Sequence, residues 1–176
     1  MSLLLVLLGA VLFAGIAMTI NEGLWSNTIT LLLIMVASLI AILGGVPVGN
    51  WGLEQLQKDA SFTWYFLFAG IWIVFFFTLA IMRVLTDKIS RTRMRFLPVI
   101  DAIAGPLMGI FVAILFTSFA AFTLRLPIGS GVWEKKDITP TQGKVYRYAR
   151  APYANLFYGL TKAENSKWAD NKLGDL

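Results

Sequence analysis

Residues 3–20, with the sequence LLLVLLGAVLFAGIAMTI, contain no charged side chain and decide the fold class. Eighteen helical residues at about 1.5 Å each cover about 27 Å, close to the ~30 Å hydrocarbon core of a bilayer. The segment therefore predicts a first membrane-spanning helix. A cleaved signal peptide is the alternative, but no Lys or Arg precedes Lys58 to form the basic region that such a peptide needs.

Three further apolar segments follow, at about 28–48, 62–82 and 98–124. The second span is predicted to end in the turn-forming stretch Gly44-Gly45-Val46-Pro47-Val48-Gly49-Asn50. The third is predicted to stop at Arg83. In the last segment Pro106 lacks the N–H that would bond to the Ala102 carbonyl, which predicts a bend or break near Gly105-Pro106. Residues 106–124 then form the span, and residues 98–105 form a short lead-in helix.

The composition also indicates a membrane protein. Hydrophobic residues make up 57% of the 176 residues and charged residues only 14%, whereas about a quarter of a typical soluble domain is charged. We predict an all-α, polytopic integral membrane protein, with about four transmembrane helices in residues 1–125 and an extramembrane basic tail in residues 126–176. The net charge of +5 is attributed to basic residues near lipid, so membrane lipids and no nucleic acid are the expected partners.

The tail contains one amphipathic pattern. Tyr153, Leu156, Phe157 and Leu160 follow the spacing i, i+3, i+4, i+7, with Pro152 at a plausible first helical position. This spacing predicts a short amphipathic helix that docks on the lipid surface or on the bundle. Three cations lie just before it among aromatic residues: Lys144, Arg147 and Arg150.

Basic residues beside the spans predict the orientation. The third connector, residues 83–96, carries five of them, the first connector none, and the second Lys58 alone. Because basic connectors face the cytoplasm, both termini are expected to lie outside it. Within the third connector Arg91, Arg93 and Arg95 are candidates for binding lipid headgroups. An orientation signal without a specific ligand is the alternative.

Enzymatic function has little support in the residue inventory. The chain has no Cys and no His, which removes thiolate nucleophiles, imidazole bases and the usual zinc, haem and iron–sulfur ligands. Neither G-x-S-x-G nor a phosphate-binding glycine loop occurs. No catalytic, cofactor-binding or metal-binding residue is predicted, and no cofactor is expected.

Small residues repeat on two helix faces. Gly105 and Gly109 are four positions apart, and Ala10, Ala14 and Ala17 form a similar face on the first helix. Such spacing lets helix backbones approach closely in lipid. Packing within the chain is the favoured interpretation, and a contact with a second copy or another membrane protein is the alternative.

Asp101 is the acidic residue closest to the apolar part of the last segment. An intramembrane carboxylate is a candidate for ion binding or proton relay, and beside a broken helix it suggests a transporter or channel subunit. The favoured interpretation is structural, because a carboxylate in the first helical turn is stabilised by the helix dipole and could pair with Arg93 or Arg95.

Two motifs resemble the colicin V production protein family of bacterial inner-membrane proteins. They are Glu22-Gly23-Leu24-Trp25 after the first helix and Asp101-x-x-x-Gly105-x-x-x-Gly109 in the last segment. The resemblance covers about residues 1–125. Members often carry Arg where this chain has Ala102 and Met108, and basic residues in the first connector, which this chain lacks.

The resemblance implies a role in toxin production or export, or in cell-envelope maintenance, in the bacterial inner membrane. The small-residue helix faces, the aromatic basic tail and the lack of a polar pathway favour an accessory or assembly factor. The resemblance supplies no catalytic residue.

Overall fold

The computed structural model describes residues 3–56, 62–89, 98–127 and 140–161. They form five helices: α1 (Leu3–Thr19), α2 (Leu24–Gln55), α3 (Thr63–Ile89), α4 (Pro98–Pro127) and α5 (Pro140–Thr161). Within α2, α3 and α4 lie three stretches long and apolar enough to cross a membrane, and α1 contains a shorter apolar stretch. The prediction of an all-α, multi-pass membrane protein is confirmed.

The predicted end of the second helix is wrong, because α2 continues through Pro47 to Gln55. Its glycines serve a close helix crossing and do not form a turn. A Cβ on Gly45 would lie 2.5 Å from Ile71 Cα, and one on Gly49 would lie 2.7 Å from the Phe66 carbonyl oxygen. Gly70 of α3 meets the same crossing from the other side. Contact with α3 therefore supports the helix where local propensity alone favours a turn.

α3 is also longer than predicted. It passes Arg83 and ends at Ile89. Nη1 of Arg83 donates to Thr30 Oγ1 of α2 over 3.0 Å, and Nε of Arg83 lies 3.5 Å from Asp87 Oδ2 one turn further on. Arg83, the first cation after the apolar stretch of α3, thus connects α3 to α2.

The predicted break near Gly105-Pro106 is wrong as well. α4 is one continuous helix from Pro98 to Pro127. Pro106 removes the helical donor of a single carbonyl, that of Ala102, and a defect of this size is tolerated in apolar helices that pack against neighbours.

The tail helix α5 begins at Pro140, well before the predicted start, and contains Pro152 in its interior. Tyr153 and Phe157 of the amphipathic stripe are 0% and 6% exposed, whereas Leu160 is 58% exposed. The two buried rings join one core with α2, α3 and α4, whose other members are Ile34, Ala37, Ala41, Ile42, Ile71, Phe75, Val112, Leu115 and Phe119. The apolar stripe of α5 therefore docks on the bundle. The division of the chain at residue 125 stays a prediction.

α5 packs against α4. Tyr146 OH donates to the Ala121 carbonyl over 2.7 Å, and the ring of Phe157 contacts Phe122 with centroids 5.7 Å apart. The twelve residues of α5 from Tyr146 to Phe157 thus contact α4 at positions that include Ser118, Ala121 and Phe122.

Pro152 shapes the contact between α5 and α4. A proline inside a helix disturbs the regular hydrogen bonds around it. Next to it, the Tyr153 N–H donates to Ser118 Oγ of α4 over 2.8 Å. A buried backbone donor is thus satisfied by the neighbouring helix, which fixes the position of α5 along α4.

Candidate functional site

Asp101 of α4 caps the N-terminus of α2. Gly23 stands directly before α2 and offers no side chain to cap it. Instead, Oδ1 of Asp101 accepts the backbone N–H of Leu24, the first residue of α2, over 2.7 Å. A carboxylate at this position satisfies a free N–H and is favoured by the helix dipole. Asp101 also lies in the first turn of α4, as predicted, while Arg93 and Arg95 fall outside the described residues.

Asn27 ties the turn between α1 and α2 to α4. Its side chain is 0% exposed. Nδ2 lies 3.0 Å from the carbonyl oxygen of Thr19, 3.2 Å from that of Glu22 and 2.9 Å from that of Gly105, so its two hydrogens are shared among three acceptors. Because only the nitrogen end of the amide can face three carbonyl oxygens, the orientation of this side chain is determined.

Gly105 and Gly109 let the same turn approach the α4 backbone. A Cβ on Gly105 would lie 3.1 Å from the Glu22 carbonyl oxygen, and one on Gly109 would lie 2.8 Å from the Thr19 carbonyl oxygen. Thr19 Oγ1 lies 2.8 Å from the Gly15 carbonyl oxygen and 2.9 Å from that of Gly109. One hydroxyl therefore links α1 to α4. Both glycines face the turn of their own chain.

We call this assembly the turn–α4 joint and define it by seven residues: Thr19, Glu22, Gly23, Asn27, Asp101, Gly105 and Gly109. The side chain of Glu22 accepts a hydrogen bond from the Ser26 hydroxyl within the joint. Among the described residues, no group of three or more acidic residues is placed to hold a metal ion. The hydrogen bonds of the joint connect α1, α2 and the turn between them to α4, so these residues hold the helices in place.

The other predicted site residues lie apart from the joint. Ala10, Ala14 and Ala17 are exposed on α1, while α1 meets α4 through Gly15 and Thr19. A role of the three alanines in helix packing stays a prediction. The headgroup candidates Arg91, Arg93 and Arg95 lie outside the described residues.

Sequence reasoning missed Asn27 and the crossing glycines of α2 and α3. The signal for Asn27 was an amide beside an otherwise apolar run, three residues after a helix start. The signal for the crossing was Gly45-x-x-x-Gly49, which has the same spacing as Gly105-x-x-x-Gly109. The same stretch was predicted to be a turn, because Gly and Pro favour turns.

A family model described as "Colicin V production protein" matches residues 4–139. The chain belongs to the colicin V production protein family. Neither a curated protein nor a solved structure matches it significantly.

The joint contains most of the residues on which the family resemblance rests. Glu22 and Gly23 lie in the turn, Leu24 donates to Asp101, and Gly105 and Gly109 receive the turn. Two segments that are far apart in the sequence of this colicin V production family member therefore form one structural unit.

Proposed function

We propose that this chain is a non-enzymatic accessory or assembly protein of the bacterial inner membrane, acting in toxin production or export or in cell-envelope maintenance. Its membership in the colicin V production family supports the general role. The observation that carries the finer proposal is the turn–α4 joint, in which the acidic side chain of α4 holds a neighbouring helix in place.

A transporter or channel subunit is the rival function. In transporters, binding sites are often built from interrupted helices whose free backbone groups face the substrate. Here α4 is continuous beside Asp101, and one oxygen of the carboxylate is bonded to the Leu24 N–H. The broken helix and the unpaired carboxylate, which favoured a transporter, are thus less well supported than the sequence indicated.

Reconstitution tests the choice between these functions. Purified protein in proteoliposomes should give no flux of ions or small solutes above that of empty vesicles. A pull-down of the intact membrane complex should recover other inner-membrane proteins. Flux that is present in the natural chain and disappears in Asp101→Asn would establish the transporter instead.

We also propose that both termini face the extracytoplasmic side. The support is the basic connector between α3 and α4, whereas the first connector has no basic residue and the second has Lys58 alone. A reporter fused after Leu176 should then report the extracytoplasmic side, and one inserted near Arg91 the cytoplasm. The reversed pattern would show that the basic residues of the tail determine orientation.

A further inference from the structure

Lys88 is the last residue of the candidate membrane span in α3, Thr63–Lys88, and its side chain is exposed. Within the described part of the chain it has neither a hydrogen bond nor an ion pair. Arg83 and Asp87, one turn apart just before it, pair with each other. Because their charges cancel, Lys88 carries the net positive charge of the last turns of α3.

Exposed apolar side chains lead along α3 to Lys88. Phe77 is 68% exposed, Ile81 45% and Val84 54%. With Lys88 they follow the spacing i, i+4, i+7, i+11, which keeps all four side chains within about 60° on the circumference of an α-helix. Arg83 lies on another side of the helix, where it bonds to α2. We call Phe77, Ile81, Val84 and Lys88 the outer stripe of α3.

The outer stripe has the length of one lipid leaflet. Lys88 comes eleven positions after Phe77, which is about 16.5 Å of helix at about 1.5 Å per residue. Half of a ~30 Å hydrocarbon core is about 15 Å. Acyl chains that lie along the apolar part of the stripe therefore bring the phosphate of the same lipid molecule to the level of Lys88.

We propose that the outer stripe of α3 binds an anionic phospholipid, with the acyl chains along its apolar side chains and the phosphate at the Lys88 ammonium group. The apolar stem of a lysine can follow such a surface while its charged end reaches the headgroups. The ammonium group attracts an anionic lipid, and salt screens this attraction. The lipid belongs to the leaflet on the side of the membrane where α3 ends.

A lipid fits the outer stripe better than a second copy of the chain. Two copies in the same membrane orientation that met symmetrically through this stripe would bring their Lys88 side chains together, and like charges repel. Helices that pack closely in lipid use small residues at the contact, as α2 and α3 do at Gly45, Gly49 and Gly70. The outer stripe contains no small residue.

The lipid preference beside the outer stripe tests the proposal in the full chain. The chain contains no Cys, so Leu85→Cys, at a position 52% exposed next to the stripe, can carry a single fluorophore. The protein is reconstituted in an equal mixture of phosphatidylglycerol and phosphatidylcholine, with a quenching nitroxide on the acyl chains of one lipid or of the other. We expect severalfold preferential quenching by phosphatidylglycerol, which high salt should reduce.

Three variants of the labelled protein assign the preference to Lys88. Lys88→Gln should remove it, whereas Lys88→Arg should retain it because the charge is kept. Lys144→Gln, which removes an exposed lysine of α5, is the matched control and should leave the preference unchanged. All three should elute in detergent at the volume of the natural chain.

Equal quenching by the two lipids around the natural Lys88 would overturn the proposal. So would a preference that survives Lys88→Gln, because it would then belong to other cations of the chain. Weak quenching by both lipids that weakens further with protein density in the vesicle would replace the lipid with a second copy of the chain.

Discussion

The first turns of α4 meet the α1–α2 turn through hydrogen bonds and glycines, whereas its later turns meet α5 mainly through aromatic rings. At the joint, Asn27 and Asp101 bond to specific backbone atoms. At the α5 contact, Tyr153 packs against Phe119 and Phe122 with centroids 5.1 and 5.4 Å apart. Directional bonds depend on the identity of single atoms, while ring packing depends on volume. The two contacts should therefore respond differently to substitutions that keep side-chain size.

The largest expected effect comes from Asn27→Asp, which preserves size but replaces the amide nitrogen with an oxygen. That oxygen would face the carbonyl oxygens of Thr19, Glu22 and Gly105 inside a buried site. We expect a loss on the order of 4 kcal/mol in the free energy of unfolding, because the three acceptors lose the two N–H donors that they share and a carboxylate is buried. Denaturant unfolding in detergent micelles measures it. Stability equal to that of the natural chain would mean that the amide does not hold the joint.

Gly109→Ala should have the next largest effect. The new Cβ would lie 2.8 Å from the Thr19 carbonyl oxygen, so either α1 or α4 must shift at a cost of about 1–3 kcal/mol. Gly9→Ala is the matched control, since a Cβ there meets nothing within 4 Å, and it should leave the melting temperature unchanged or slightly raised. Equal melting temperatures for the two variants would contradict the close contact.

At the α5 contact, Ser118→Ala should cost about 1–2 kcal/mol, because the buried Tyr153 N–H loses its acceptor. Thr117→Val is the matched control beside it. Among the described residues, Thr117 Oγ1 has no hydrogen-bond partner, so removing that hydroxyl should be neutral or slightly stabilising. Protease sensitivity of α5 in the intact protein gives a second measure, and it should rise only in Ser118→Ala.

Tyr153→Phe should have the smallest effect at neutral pH and a clear effect above pH 10. Burial raises the pKa of Tyr153 to about 12, and the nearby Ser38 hydroxyl opposes this rise without meeting hydrogen-bond geometry. The raised pKa means that this contribution to stability is complete below the unfolded value of 10 and is lost as the pH rises to 12. The natural chain should therefore lose stability relative to Tyr153→Phe over that window in thermal melts. Parallel pH curves would contradict the buried neutral phenol.

The sequence predicted the apolar helices and the buried stripe of the tail because both depend on local patterns of hydrophobicity. The predicted helix end at Gly44–Asn50 and the predicted break at Gly105-Pro106 were wrong. Gly and Pro favour turns in an isolated segment, and the contact of Gly45 and Gly49 with α3 outweighs that preference. Such a contact joins residues that are far apart in the chain, so local propensity cannot reveal it.

The residues of the joint were partly predictable from the sequence, but their contacts were not. The sequence marked Asp101, Gly105 and Gly109 as a spaced set and Glu22-Gly23-Leu24-Trp25 as a second motif. It did not indicate that Asp101 caps α2, because that bond links residues 77 positions apart. Asn27 carries three interhelix or turn contacts, yet one amide next to an apolar run resembles an ordinary helix-end residue.

The most direct test of a structural Asp101 compares Asp101→Asn with Asp101→Ala in colicin V release, using a bacterial strain that depends on this chain for production of the toxin. Asn keeps an oxygen that can accept the Leu24 N–H, and it caps helices about as well as Asp, whereas Ala costs about 1 kcal/mol at such a position. The account predicts that Asn retains toxin release and the melting temperature of the natural chain, while Ala lowers both. Loss of release in Asp101→Asn at an unchanged melting temperature would contradict it, because the charge of the carboxylate would then be required for function.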